Sequence, residues 1–171
     1  MFVNLIFVRP DIRAGCYYKH ILKKGCEMAD YATSTVKFVD GMQFVGESGT
    51  GHAFVMDAAP GVGGKNTGCR PMELLLIGLG GCTGMDVISI LRKKKLDVKG
   101  LQMNVKGKWV EGDSYPKFFE GIELEYVVTG KGITEDAVKR AVDLSESKYC
   151  SVMANLRGTS KITTSFKVIN E

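Results

Sequence analysis

Residues 70–95, RPMELLLIGLGGCTGMDVISILRKKK, constrain the fold of this chain more than any other stretch. From Pro71 onward they read as a long helix that is apolar on nearly every side, the profile of an element buried all round rather than laid on a surface. A fold that accepts this helix must surround it. Pro71 suits a first helical position, where its missing N–H costs nothing, and the lysines at 93–95 suit the last turn, at the negative end of the helix dipole. In the middle, Cys82 follows Gly80 and Gly81, with Gly78 just before them. Each glycine costs about 1 kcal/mol against alanine in a helix interior. Bare backbone at that point therefore has a purpose: it lets a partner element or a small substrate come close to the sulfur.

The flanking chain predicts strands. TVKFVDGMQFVGES alternates apolar and other residues on both sides of Asp40-Gly41, a hairpin signal, and HAFVMDA reads as a third strand. The glycine-rich segment APGVGGKNTGCR reads as a flexible loop leading to Pro71. After the helix, which is expected to end near Leu96, VKGLQMNVKGKWVE and KFFEGIELEYVVTG alternate with period two and predict an antiparallel ribbon with one buried face. GITEDAVKRAVDLSES reads as an amphipathic helix capped by Thr134. SKYC reads as a break, SVMANLR as a short helix closed by Gly158, and TSKITTSFKVIN as a last strand. This order predicts an α+β domain in which antiparallel sheets wrap a long central buried helix.

At 171 residues the chain can bury roughly two thirds of the surface its unfolded form exposes, so it needs no staple. The five cysteines, at 16, 26, 69, 82 and 150, are odd in number and contain no C-x-x-C pair, which argues against a disulfide framework and against a zinc or other metal site. A reducing cytoplasm fits that usage. The two histidines, His20 and His52, are too few and too far apart in sequence to suggest a metal centre or a Cys-His hydrolase. The net charge of +4 is concentrated in residues 1–28, where five Lys/Arg against two Asp/Glu give +3. The remaining +1, without a basic stripe, gives no footprint for nucleic acid. Residues 1–28 open with an apolar run that lacks a basic segment before it and a cleavage site after it, and it is too short to span a membrane. They are expected to be an extension without a core of its own, with the domain at 29–171.

Two cysteines stand out by context. Cys82 lies among glycines on the apolar helix. Cys150 lies at or just before the N-terminus of the short helix, where free N–H groups and the dipole are expected to lower its pKa. Cys69, in the loop 13 residues before Cys82, is a competing thiol.

RPMELLLIGLGGCTGMDVISIL together with DLSESKYCSVMANLRG, and with GESGTGH ahead of the loop, resembles the OsmC/Ohr family of thiol-dependent peroxidases, in particular its YhfA-like branch. The likeness runs over residues 33–171. It implies an intertwined homodimer with long helices at the centre, sheets outside and active sites at the subunit interface. It also implies a peroxidatic Cys82 and a resolving Cys150 that form a disulfide, a hydroperoxide substrate, a dithiol or lipoyl-type external reductant, no cofactor, and a cytoplasmic role in oxidative stress defence. The sequence departs from the family pattern at three places. Met72 stands where the well-characterised members carry glutamate, with Glu73 following as the remaining pocket candidate. Ser151 replaces the proline after the resolving cysteine. There is no arginine between Thr33 and Lys65, which leaves Lys37 and Arg70 as the available cations. Kept thiols favour the peroxidase. Lost tuning residues favour a second expectation, a slow redox-sensing or small-ligand-binding protein on the same scaffold.

Overall fold

A computed structural model describes residues 31–113 and 115–171; the expected extension, with Cys16 and Cys26, lies outside the described residues. Strands β1 (Ser34–Asp40), β2 (Gln43–Ser48) and β3 (Ala53–Met56) form one antiparallel sheet in that order. Helix α1 (Pro71–Lys93) follows, then β4 (Asp97–Trp109) and β5 (Phe119–Lys131), helices α2 (Glu135–Leu144) and α3 (Ser151–Leu156), and β6 (Lys161–Asn170). The second sheet has the order β4-β5-β6.

The α+β architecture holds, and one pairing departs from the expected antiparallel plan. Strand β6 lies parallel to β5, with Ile122 opposite Ile162 and Val128 opposite Val168. The two helices between them carry the chain back along the sheet, so that β6 starts from the end where β5 started. Leu79, Val87 and Leu91 of α1, Ile122, Leu124, Tyr126 and Val128 of β5, and Val138 and Ala141 of α2 close the core between the helices and this sheet. Each fully buried Leu, Ile or Val contributes about 1.5–3 kcal/mol relative to exposure.

Among the described residues, helix α1 is not buried all round. Its β4-facing side is tightly packed: a Cβ on Gly80 would meet Val105 Cγ2 at 3.1 Å, and one on Gly84 would meet Met103 Cγ at 3.3 Å. Its outer side carries Ile77 and Met85, 61% and 73% exposed. Between that side and β4 lies an apolar cleft of ≈ 770 Å³, lined by Leu76, Ile77, Gly81, Met85, Ile88 and Met103 among others. The first sheet is barer still. Strand β1 is exposed along its whole length, Phe38 is 63% exposed, and no residue of β1, β2 or β3 joins the core cluster.

Three local expectations are corrected. The loop before α1 is not loose, because the buried Asp57 carboxylate accepts hydrogen bonds from the amides of Ala58 (2.7 Å), Lys65 (3.0 Å) and Thr67 (3.0 Å) and from the Thr67 hydroxyl (2.7 Å). Four donors on one carboxylate hold it in its charged form and lower its pKa to about 2. The SKYC break is a single π turn, Ser145–Tyr149, which continues α2 and closes with Cys150 N–H donating to Ser145 O at 2.9 Å. A π turn adds a residue to the helical repeat and so re-aims whatever follows it. Helix α1 ends at Lys93 rather than near Leu96, with Lys95 in the left-handed region (φ 59°) where the chain turns into β4. The Thr134 cap is as expected, its Oγ1 accepting from Ala137 N–H at 3.2 Å.

Candidate functional site

The residue re-aimed by the π turn is Cys150. It is the N-cap of α3, its sulfur accepts the Met153 N–H at 3.3 Å, and it is 4% exposed. Cys82, in the fourth turn of α1 and half-buried, faces it. One helical turn after Cys82 on the same face stands Asp86. The two sulfurs and an Asp86 carboxylate oxygen all lie within 4.8 Å of one another. Ser145, in the π turn, donates its hydroxyl to Asp86 Oδ2 at 2.9 Å. Residues from both ends of a long stretch of chain thus converge under the helix pair.

Electrostatics at this point run against the expectation for Cys150. Burial, the adjacent Cys82 sulfur and the nearby Asp86 outweigh the single Met153 N–H, and the thiol is pushed up to about 11 rather than lowered. A short helix offers one good donor, and one donor does not offset desolvation and a neighbouring carboxylate. Burial also raises the Asp86 carboxyl, with the Ser145 hydroxyl opposing it. The Tyr126 hydroxyl reaches in from β5. It is fully buried, and its ionisation is suppressed first by burial and also by Glu146, Cys150 and Asp86 nearby. Thr83 lies close to it, but Thr83 gives its own proton to Leu79 O at 2.9 Å, and the two hydroxyls do not meet in hydrogen-bond geometry. Tyr126 Oη and Glu146 Oε1 are the two buried side-chain polar atoms without a partner among the described residues.

The glycines around Cys82 separate into three uses. Gly80 admits β4, Gly81 lines the outer cleft, and Gly78 alone lies one turn from Cys82 on its own face. A Cβ at Gly78 would meet nothing within 4 Å, so the approach to the sulfur is open there. Asp86 also lines a second cavity, together with Ser89, Ile90, Lys93, Leu144 and Tyr149.

The remaining sequence candidates sit elsewhere. Glu73 is exposed and accepts the Arg70 N–H at 2.8 Å, a cap for the start of α1; nine residues separate it from Cys82, about 13 Å along the axis. Arg70 donates to Asn66 Oδ1 (2.6 Å) and Gly68 O (3.0 Å), which ties it to the loop. Lys37 is on the exposed strand β1. Cys69 is bridged to β3, its sulfur 3.5 Å from Val55 O, and lies outside the Cys82–Asp86–Cys150 group. Sequence reasoning missed Asp86, Ser145 and Tyr126. Only Asp86 left a signal, its four-residue spacing from Cys82.

The OsmC-like protein family model matches residues 64–165, which include both cysteines and Asp86. Protein YhfA of Escherichia coli is 40% identical over 134 residues, covering 78% of this chain and 96% of that protein. Among solved structures, a hypothetical protein from Aquifex aeolicus is 33% identical with a TM-score of 0.72, over 84% of this chain and 99% of that one. An organic hydroperoxide resistance protein OsmC from Legionella pneumophila shares the fold, at a TM-score of 0.64 and 15% identity over 82% of this chain and 99% of that one. On the strength of the family match and the YhfA identity together, the chain belongs to the OsmC-like family, on its YhfA-like branch.

Proposed function

We propose that the protein is a thiol-dependent peroxidase that reduces organic or inorganic hydroperoxides, with Cys82 as the attacking thiol and Cys150 as the resolving one. The observation that carries this reading is the meeting of the two sulfurs from separate elements within 4.8 Å. The name of the Legionella relative, an organic hydroperoxide resistance protein, agrees with it. The Cys82 thiol gives its proton to solvent and the thiolate attacks the terminal peroxide oxygen; the O–O bond breaks, the leaving alkoxide takes a proton from solvent to depart as alcohol, and Cys82 becomes a sulfenic acid. Cys150 then gives its proton to the Asp86 carboxylate, its sulfur bonds to the Cys82 sulfur, and the hydroxyl leaves as water with that proton. An external dithiol, lipoyl or similar, takes the disulfide back to two thiols. A raised pKa suits this order, since Cys150 stays a thiol until a sulfenic acid stands beside it.

Ile77, Met85 and the bare first sheet support assembly as an intertwined homodimer, because a monomer would leave that apolar surface in water. The site as drawn needs no cofactor, and a soluble, cytoplasmic setting keeps the thiols reduced.

The test is mass mapping after one equivalent of alkyl hydroperoxide. A Cys82–Cys150 disulfide is expected in the wild type. In Cys150→Ser a single oxidation should leave a Cys82 sulfenic acid that a dimedone-type probe labels, and Cys82→Ser should consume no peroxide. A Cys82–Cys69 link would move the resolving role. The second reading, a slow redox sensor or small-ligand binder, is favoured by one feature: the groups that raise the Cys150 thiol include a carboxylate, Asp86. An unmodified Cys82 after excess hydroperoxide would establish that reading instead.

A further inference from the structure

We infer that the reduced Cys82–Asp86–Cys150 group is a binding site for zinc, with the two sulfurs and one Asp86 oxygen as protein ligands and a water in the fourth position. The odd number of cysteines and the lack of a C-x-x-C pair argued against such a site in the sequence, but the fold brings two cysteines from separate elements together.

Tetrahedral zinc with Zn–S of about 2.3 Å and Zn–O of about 2.0–2.2 Å sets its ligand atoms about 3.4–3.8 Å apart. Three atoms already within 4.8 Å of one another reach that spacing by side-chain adjustment alone. Thiolates with a carboxylate make a donor set that suits zinc and not magnesium or calcium. The supporting contacts are in place as well. Ser145 holds Asp86 by Oδ2 and leaves Oδ1 for a metal, and the Met153 N–H points at the Cys150 sulfur, the kind of outer hydrogen bonds that orient metal ligands.

A second observation comes from outside the three ligands. Tyr126 Oη and Glu146 Oε1 are buried without partners, and both belong to the same electrostatic neighbourhood as Cys150 and Asp86. Buried orphans of this kind cost about 1–3 kcal/mol each. A metal-bound water within reach of either atom would give it a partner, donating to the Glu146 oxygen or accepting from the Tyr126 hydroxyl. On binding, the two thiol protons pass to solvent, and no electrons move. Because both sulfurs are engaged, zinc and the disulfide exclude each other, and oxidation of the pair would release the metal.

The experiment uses the full chain, reduced and stripped of metal, with Cys16, Cys26 and Cys69 replaced by serine so that only two thiols remain. Cobalt serves as the spectroscopic stand-in. One Co²⁺ per chain with a thiolate-to-metal charge-transfer band is expected, displaced by one equivalent of Zn²⁺. Cys82→Ser and Cys150→Ser should each lose the band, and Asp86→Asn should weaken zinc at least about tenfold while keeping its far-ultraviolet circular dichroism. No band at stoichiometric cobalt, or a band that survives in either cysteine variant, overturns the site. Where a cysteine variant fails to fold, alkylation of the wild type decides: zinc should protect Cys82 and Cys150 together, and equal labelling with and without zinc defeats the assignment. Metal uptake is read with no peroxide present, so it stands or fails separately from turnover.

Discussion

Cys150 carries a stability consequence of its own. Its thiol rises from an ordinary value of 9.0 to about 11 in the folded chain. The protonated form is therefore favoured by folding, and this contribution is fully present below about pH 9 and lost as pH rises through 11. Urea unfolding midpoints should fall across that window, and Cys150→Ala should flatten the fall. Asp86→Asn removes one of the groups that raise Cys150, so alkylation of Cys150 at neutral pH should speed up, each unit of pKa lost giving about tenfold more thiolate. A separate expectation concerns the orphaned hydroxyl: Tyr126→Phe should raise the stability of the metal-free protein by about 1 kcal/mol in the same assay, since it deletes a buried group that has no partner. Residue by residue, the cysteines were legible in the sequence because glycines and a helix start mark them. Tyr126 and Ser145 were not, since nothing local distinguishes a strand tyrosine that ends in the core from one that ends beside two sulfurs.

Among the elements, α1 shows how differently four glycines of one helix behave. Gly78→Ala meets open space and should stabilise by up to about 1 kcal/mol. Gly80→Ala gains the same propensity but pushes a Cβ to 3.1 Å from Val105 Cγ2, a β-branched side chain with little room to yield, and should destabilise by about 1 kcal/mol on balance. Differential scanning calorimetry of the pair tests the opposed signs. The loop that delivers α1 has an acid limit. Asp57 falls from 3.8 to about 2 in the fold, so its contribution is complete above about pH 4 and lost as pH falls through 2. Amide protection at Lys65 and Thr67 should disappear over that range while the core strands stay protected. The types of element and the starts of α1 and α2 were legible from periodicity, Pro71 and Thr134; the end of α1 was not. The parallel direction of β6 was not, because a strand alternates identically whichever way its neighbour runs. The π turn was equally hidden, since it uses ordinary helix-forming residues.

At the scale of the molecule, the outer face of α1 should govern assembly. Met85→Glu places a charge at the most exposed apolar position of the helix, and sedimentation should show a wild-type dimer and a variant that is monomeric or insoluble. The apolar helix was legible in the sequence as something needing cover on every side; that the described residues supply only part of the cover required the structure. The bare sheet β1–β2–β3 has a further consequence, for synthesis. It precedes α1 and the core sheet in the chain, so it leaves the ribosome ahead of every element that builds the core. With Val36, Phe38 and Phe54 exposed among the described residues, it is made before the core and sheltered after it. Nascent chains should therefore be most prone to sticking to one another while the helix is still being translated.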